Sequence, residues 1–213
     1  MTIEKGKEWG HRGACPANLH FARTDMDLIV QWLRDPTTVF AMLSGDLYAS
    51  LGRPKWGHDR DLASAPEVQF LPVDIFRVVI TTDDSLTDKN TVEMFALSSV
   101  EIGSWLTRHR YVCVSNCGFV GDFNIAPRAH PNDGEMDVVT IQPAMEWRQR
   151  LQARSRARLG QHVPHPAITM ERGVTHTWTR ESSRERLCVD GVSVKTWREI
   201  RVEVLADACS VVV

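Results

Sequence analysis

Apolar and polar positions along this chain follow two different patterns. In the first fifty or so residues they suit strands and helices in alternation. Asn18 to Ala22 (NLHFA) reads as a short strand. Thr24 or Asp25 stands where a helix needs an N-cap, and Leu28, Ile29, Trp32 and Leu33 follow at helical spacing. Asp35-Pro36 closes that helix, because the residue before a proline is pushed out of the helical region. The stretch TVFAMLSGDLYASLGRP then gives a strand, a turn at Ser44-Gly45-Asp46 and a short helix stopped by Gly52 and Pro54.

From about Phe70 onward, strand-length runs dominate: 70–80, 91–102, 111–120, 136–141, 168–178, 186–194 and 198–213. Turn residues separate most of them, among them DDS and TDKN over 83–90. One helix interrupts the series over 144–160. It carries Met145, Trp147, Leu151 and Leu159 and stops at Gly160. The pattern predicts an α+β fold, with a small truncated α/β lobe over 1–68 followed by an antiparallel β-sandwich over 69–213 with one interrupting helix.

Composition narrows the function classes. The formal net charge is −2 over 213 residues, so no broad nucleic-acid-binding surface is expected. No apolar run approaches the ~20 residues of a membrane helix, and MTIEKGKEWGHRG lacks the apolar core of a signal peptide. A cytoplasmic protein is expected. The five cysteines, at 15, 113, 117, 188 and 209, are odd in number and scattered, which is not a disulfide framework. Cys113 and Cys117 have no second pair at metal-ligand spacing and read as small buried apolar residues. His162 and His165 lie in GQHVPHP, where Pro164 and Pro166 favour turn and packing roles. The interrupting helix holds Arg148, Arg150, Arg154, Arg156 and Arg158. Two readings stay open for them: a solvated face, or contact with phosphate or anionic lipid headgroups.

The stretch NIAPRAHPNDGEMDVVTIQP, residues 124–143, sets a rigid loop, an acid and a glycine directly before a strand. An ordinary Asp-Gly turn would look like this, and so would the rim of a site.

The motif order answers in part. VSNCGFVGDFNIAPRAHPNDGEMDVV, a helix, GQHVPHPAI, LCVDG and a closing strand together resemble the C-terminal β-sandwich domain of bacterial diacylglycerol-kinase-like lipid kinases. LPVDIFRVVI is similar to the strand that enters this domain, and MLSGDLYASLG to an upstream segment of the family, so the resemblance covers about residues 38–213. It implies a general base at Asp190, placed to take a proton from a lipid hydroxyl. It implies a Mg²⁺ ligand at Asp133, and a cleft shaped by Asn116, Gly121, Asn124 and Gly191. Phosphoryl transfer uses such parts: a carboxylate base and a carboxylate-bound metal.

Against the family pattern, the nucleotide loop departs. Where such kinases carry GGDGT, this chain reads Ala22-Arg23-Thr24-Asp25, without the glycines that let backbone N–H groups approach phosphate. The second loop, Ser44-Gly45-Asp46, keeps one glycine. Fewer residues precede Thr24 than the family's strand–helix units require. ATP is therefore a doubtful ligand, and the site reads as degenerate. The leading expectation is a lipid-kinase-like protein that binds a lipid or amphipathic hydroxyl compound in the sandwich cleft. An active phosphotransferase using Asp190, and a partner-binding module reusing the sandwich, are the alternatives. Peripheral contact with an anionic membrane surface and a homodimer complete the expected partners; nucleic acid is not among them.

Overall fold

The computed structural model describes residues 8–54, 62, 65–82 and 90–213. Most of the turn expected over 83–90 lies outside them. The first part of the chain forms β1 (His11–Gly13), β2 (Leu19–Ala22), α1 (Asp25–Trp32), β3 (Val39–Met42) and α2 (Asp46–Ser50). Next come β4 (Val68–Thr82), β5 (Asn90–Ala96), β6 (Ser99–Ile102), β7 (Tyr111–Ser115), β8 (Phe119–Val120), β9 (Phe123–Asn124) and β10 (Met136–Ile141). After α3 (Trp147–Ala157) follow β11 (Ile168–Gly173), β12 (Thr175–Thr179), β13 (Leu187–Val189), β14 (Val192–Val194) and β15 (Glu199–Val212). This is the expected small α/β lobe with an antiparallel sandwich and one interrupting helix.

A long antiparallel ribbon organises both halves. β4 and β15 pair from Thr81 opposite Glu199 to Phe70 opposite Val212. At one end the ribbon is flanked by β5 and β12, both antiparallel. At the other it is flanked by β1 and by β3, which runs parallel to β15, with β2 parallel beyond. One seven-stranded sheet therefore serves as a wall of the sandwich and as the sheet of the lobe. The facing sheet has six strands in the order β11-β10-β7-β6-β13-β14, all antiparallel.

Four runs that look continuous in the sequence are broken in space, 186–194 by the hairpin turn at Asp190-Gly191. The run 91–102 divides at Leu97-Ser98, where the chain leaves one sheet for the other, and 168–178 divides at Gly173-Val174 for the same reason. The run 111–120 turns after Ser115, and Gly118 (φ 83) sits where a Cβ would meet the Ala126 carbonyl oxygen at 2.8 Å. Such corners are how two packed sheets exchange strands.

The sandwich core lies between the sheets, with Phe76, Val78, Ile80, Val100, Val112, Val114, Val138, Val189 and Ile200 buried together. The six-stranded sheet is covered on its other face as well. There Tyr111, Cys113, Val139 and Ile141 pack against Ile125, Met145, Ala153 and Ala157. Burial on both faces explains why YVCVS and MDVV read as near-continuous apolar runs. Cys113, Cys117 and Cys209 are buried thiols and all five cysteines are free, as their scattered spacing predicts.

The interrupting helix departs from its expected polarity. Its buried face is Arg150, Ala153 and Ala157, whereas Trp147, Leu151 and Leu159 are exposed by 49%, 47% and 73%. Arg150 is fully buried, so it belongs to neither a solvated face nor a headgroup site. Its guanidinium donates to the carbonyl oxygens of Met145 (3.1 Å), Trp105 (3.2 Å), His109 (3.0 Å) and Gln142 (2.8 Å). Those bonds fasten α3 and the 105–109 loop onto the sheet.

Candidate functional site

The lobe and the sandwich meet at the β2–α1 and β3–α2 loops, the two places where the sequence resemblance sets a nucleotide. Several backbone donors of both loops are already engaged. Thr24 caps α1, its Oγ1 accepting from the N–H of Asp27 at 3.0 Å. Asp27 accepts from the Arg23 N–H at 2.9 Å. Asp25 caps the other helix instead of its own: its carboxylate accepts from the N–H groups of Asp46 (2.7 Å) and Leu47 (3.1 Å) at the start of α2. The Ser44 hydroxyl donates to the Arg23 carbonyl and ties the two loops together. Gly45, at φ 107, gives the Asp25 carboxylate room to approach.

Three carboxylates gather at this junction. Asp46 accepts from the N–H of Gly121 at 2.8 Å, joining α2 to the β8–β9 turn. Asp190 belongs to the β13–β14 hairpin turn with Gly191; both have positive φ, 42 and 79, as a two-residue hairpin of this kind demands. Burial, and then the charge of Asp190, push Asp25 up to about 7. Asp46 is raised to about 6 by burial, opposed by the Gly121 bond and assisted by the charges of Asp190 and Glu101. Burial also raises Asp190, against the bonds it accepts.

Those bonds are numerous. The Asp190 carboxylate accepts from the N–H of Leu97 (2.6 Å), Ser98 (3.0 Å) and Ser99 (2.8 Å) and from the Ser98 hydroxyl (2.7 Å). Three of these donors share Oδ1 and one takes Oδ2. In this state Asp190 pins the corner where the chain crosses from β5 to β6.

Beside the junction lies a cavity of about 580 Å³ on the outer face of the six-stranded sheet. Trp105, Leu106, Tyr111, Val120, Phe123 and Ile125 form its apolar wall. Glu101, Asp122, Arg154, Arg186, Cys188 and Ser193 supply its polar groups, and Gly121 connects it to Asp46. Inside, the Tyr111 hydroxyl donates to Glu101 at 2.6 Å. Apolar walls with a few convergent polar groups are the usual make-up of a small-molecule site.

The 124–143 loop is organised from elsewhere. Its hub is Asp74 on β4, fully buried, whose carboxylate accepts from the N–H groups of Gly134 and Asp207 (both 2.8 Å) and from the Asn132 amide (3.3 Å). Asp207 (φ 54) marks the bulge between Leu205 and Cys209 in β15. Asn116 spans the carbonyls of Asp74 and Leu97 at 2.8 and 2.9 Å, and Asn124 sits between Gly118 and Gly160. Both asparagines lie at structural joints.

Asp133 accepts from the Glu135 N–H at 3.1 Å and is ion-paired with Arg172. Arg172 also reaches Glu135 at 3.0 Å and the buried Asp137 at 3.6 Å. A guanidinium is therefore paired with the one acid, Asp133, that the resemblance offers to Mg²⁺. Among the described residues no group of three or more His, Cys, Asp or Glu side chains is placed to hold a metal ion. The residues present do not fit Mg²⁺ at Asp133.

Sequence reasoning did not reach Asp74, Glu101, Tyr111 or Arg186. Only the buried acid in LPVDIFRVVI, a charge inside an apolar strand, signalled one of them in advance.

A small α/β lobe thus shares its sheet with an antiparallel sandwich. Residues 91–213, more than half of the chain, match the YegS C-terminal NAD kinase beta sandwich-like domain, and the chain belongs to that family. No curated protein matches it. Among solved structures it is similar to a candidate diacylglycerol kinase from Bacillus anthracis str. Sterne, with a TM-score of 0.56 and 12% identity over 91% of this chain and 77% of that one. It is similar also to a diacylglycerol kinase structure from the same organism, with a TM-score of 0.55 and 14% identity over 91% of this chain and 75% of that one. Among the described residues no helix is long and apolar enough to cross a membrane.

Proposed function

We propose that this chain is a lipid-kinase-family protein that binds an amphipathic hydroxyl compound in the sandwich cavity and has lost nucleotide binding. The observation that carries this reading is Asp25. Its carboxylate takes the N–H groups of Asp46 and Leu47, the groups at a helix start that a phosphate would use. Arg23 and Asp27 lose their N–H groups to neighbouring side chains in the same way. The cavity beside this closed loop pair keeps an apolar wall and a Glu101–Tyr111 pair suited to anchoring a hydroxyl.

Titration calorimetry with ATP, with and without Mg²⁺, tests the first half. No heat at millimolar nucleotide is expected. Mg²⁺-dependent binding in the micromolar range, about −8 kcal/mol, would overturn it. Quenching of the buried Trp105 by a short-chain monoacylglycerol tests the second half, with Trp105→Phe as control.

A further inference from the structure

We infer that one flank of α3, together with Leu106, docks on an anionic bilayer surface and sets the mouth of the sandwich cavity against the lipid. This rests on the reading of the cavity as the amphiphile site and names the surface that would supply it.

At 100° per residue, Trp147, Leu151, Arg154 and Arg158 fall within an arc of about 60° on α3. This stripe meets the cavity at Arg154. Arg154 lines it, and both Arg154 and Arg158 stack over Phe123, another wall residue, at 4.2 and 5.7 Å. Leu106, on the loop that Arg150 fastens to the helix, lines the same cavity and is 52% exposed. Exposed Leu106 thus lines the opening, and exposed Trp147 and Leu151 share the helix flank of Arg154, which lines it too, with Leu159 just beyond the helix.

Along the helix after its Glu146 N-cap the charge is of one sign. From Trp147 to Gly160 the chain has five arginines and no acid. Arg150 is buried, and among the described residues no carboxylate pairs with Arg148, Arg154, Arg156 or Arg158. The whole chain is at −2, so this is a local basic surface on an acidic protein. Basic residues interleaved with tryptophan and leucine suit the boundary between headgroups and acyl chains. A nucleic acid would use the arginines and leave Trp147, Leu151 and Leu106 without a role.

Co-sedimentation with vesicles tests the inference. The protein should pellet with phosphatidylcholine–phosphatidylglycerol vesicles, not with phosphatidylcholine alone, and release at high salt. Arg148→Gln/Arg154→Gln/Arg158→Gln should lower partitioning about a hundredfold. Trp147→Ser/Leu151→Ser should also lower it, with unchanged melting because both side chains are exposed. Absence of vesicle binding, or binding unaffected by either variant set, would overturn the inference. So would vesicle binding abolished by a short oligonucleotide, or a dimer in sedimentation velocity that Trp147→Ser/Leu151→Ser dissociates. Binding of a monomeric short-chain amphiphile, read separately from Trp105, keeps the two readings apart. If it persists without vesicle docking, only the docking surface falls. If docking persists without it, the cavity reading falls, and with it the claim that docking serves the cavity.

Discussion

The Asp25 carboxylate fills the space that a side chain at Gly45 would need: a Cβ there would lie 2.7 Å from Oδ2 and 2.9 Å from Oδ1. Two loops far apart in the chain are thereby locked at van der Waals contact. Gly45 also holds φ 107 with ψ −178, a region essentially reserved for glycine. Gly45→Ala should therefore destabilise the protein by about 1–3 kcal/mol from the backbone alone, with the clash added. Urea unfolding reads this directly; a loss below a few tenths of a kcal/mol would show that Asp25 is not held there.

Asp25 gives the protein a pH signature. Its folded pKa is raised to about 7, above the ordinary carboxyl value, so the folded state holds the proton that the unfolded state releases. The stability tied to that proton is full below about pH 4 and is lost as pH rises towards about 7. Asp25→Asn removes the titration. The stability difference between wild type and variant should shrink as pH rises from 4.5 to 7.5, as read from thermal melts across that range. A constant difference would mean that Asp25 is ionised throughout.

Asp190 should prove a structural anchor. Asp190→Ala leaves the N–H groups of Leu97, Ser98 and Ser99 without the acceptor they share, and a buried donor without a partner costs about 1–3 kcal/mol. The variant should lose at least 2 kcal/mol whether or not any ligand is present. Hydrogen exchange at Leu97 to Ser99 should speed up before the rest of the sheet. Wild-type stability with a selective loss of phosphotransfer would instead restore Asp190 as a base.

Arg150 makes a similar case on the other side of the sheet. Arg150→Met fills similar volume but leaves four carbonyl groups unserved, and should cost about 3 kcal/mol or more. Arg150→Lys should not rescue it, because one ammonium cannot reach the carbonyls that the planar guanidinium spans. Circular dichroism during urea unfolding, compared with Trp105 emission, would show α3 and the 105–109 loop loosening together.

Much of this fold could be read from local pattern. The strand 136–141, the Asp-Gly hairpin at 190–191 and the helix, which ends at Ala157 with Gly160 in the turn after it, all depend on neighbours in sequence, and all are present. The site was harder to read because its parts depend on distant partners. Asp25 sits at a helix start and satisfies every rule for a cap, yet it caps a helix 21 residues further on. Asp133 looks like a free acid until Arg172, 39 residues away, is brought beside it. Trp147 and Leu151 have helical spacing, which signals a buried stripe, but the burial goes to an arginine and two alanines. Periodicity reports that a helix has two sides; it does not report which side the rest of the chain covers.

The ribbon of β4 and β15 carries a consequence for how the chain reaches this state. Phe70 and Val212 are partners, so the first of these strands must wait for nearly the whole remaining chain before it can pair. Both the lobe and the sandwich wait with it, since each lacks a wall strand until β15 arrives. Such long-range closure is slow. During synthesis β4 lacks its long partner until β15 is made, and an unpaired strand of that length is exposed to aggregation.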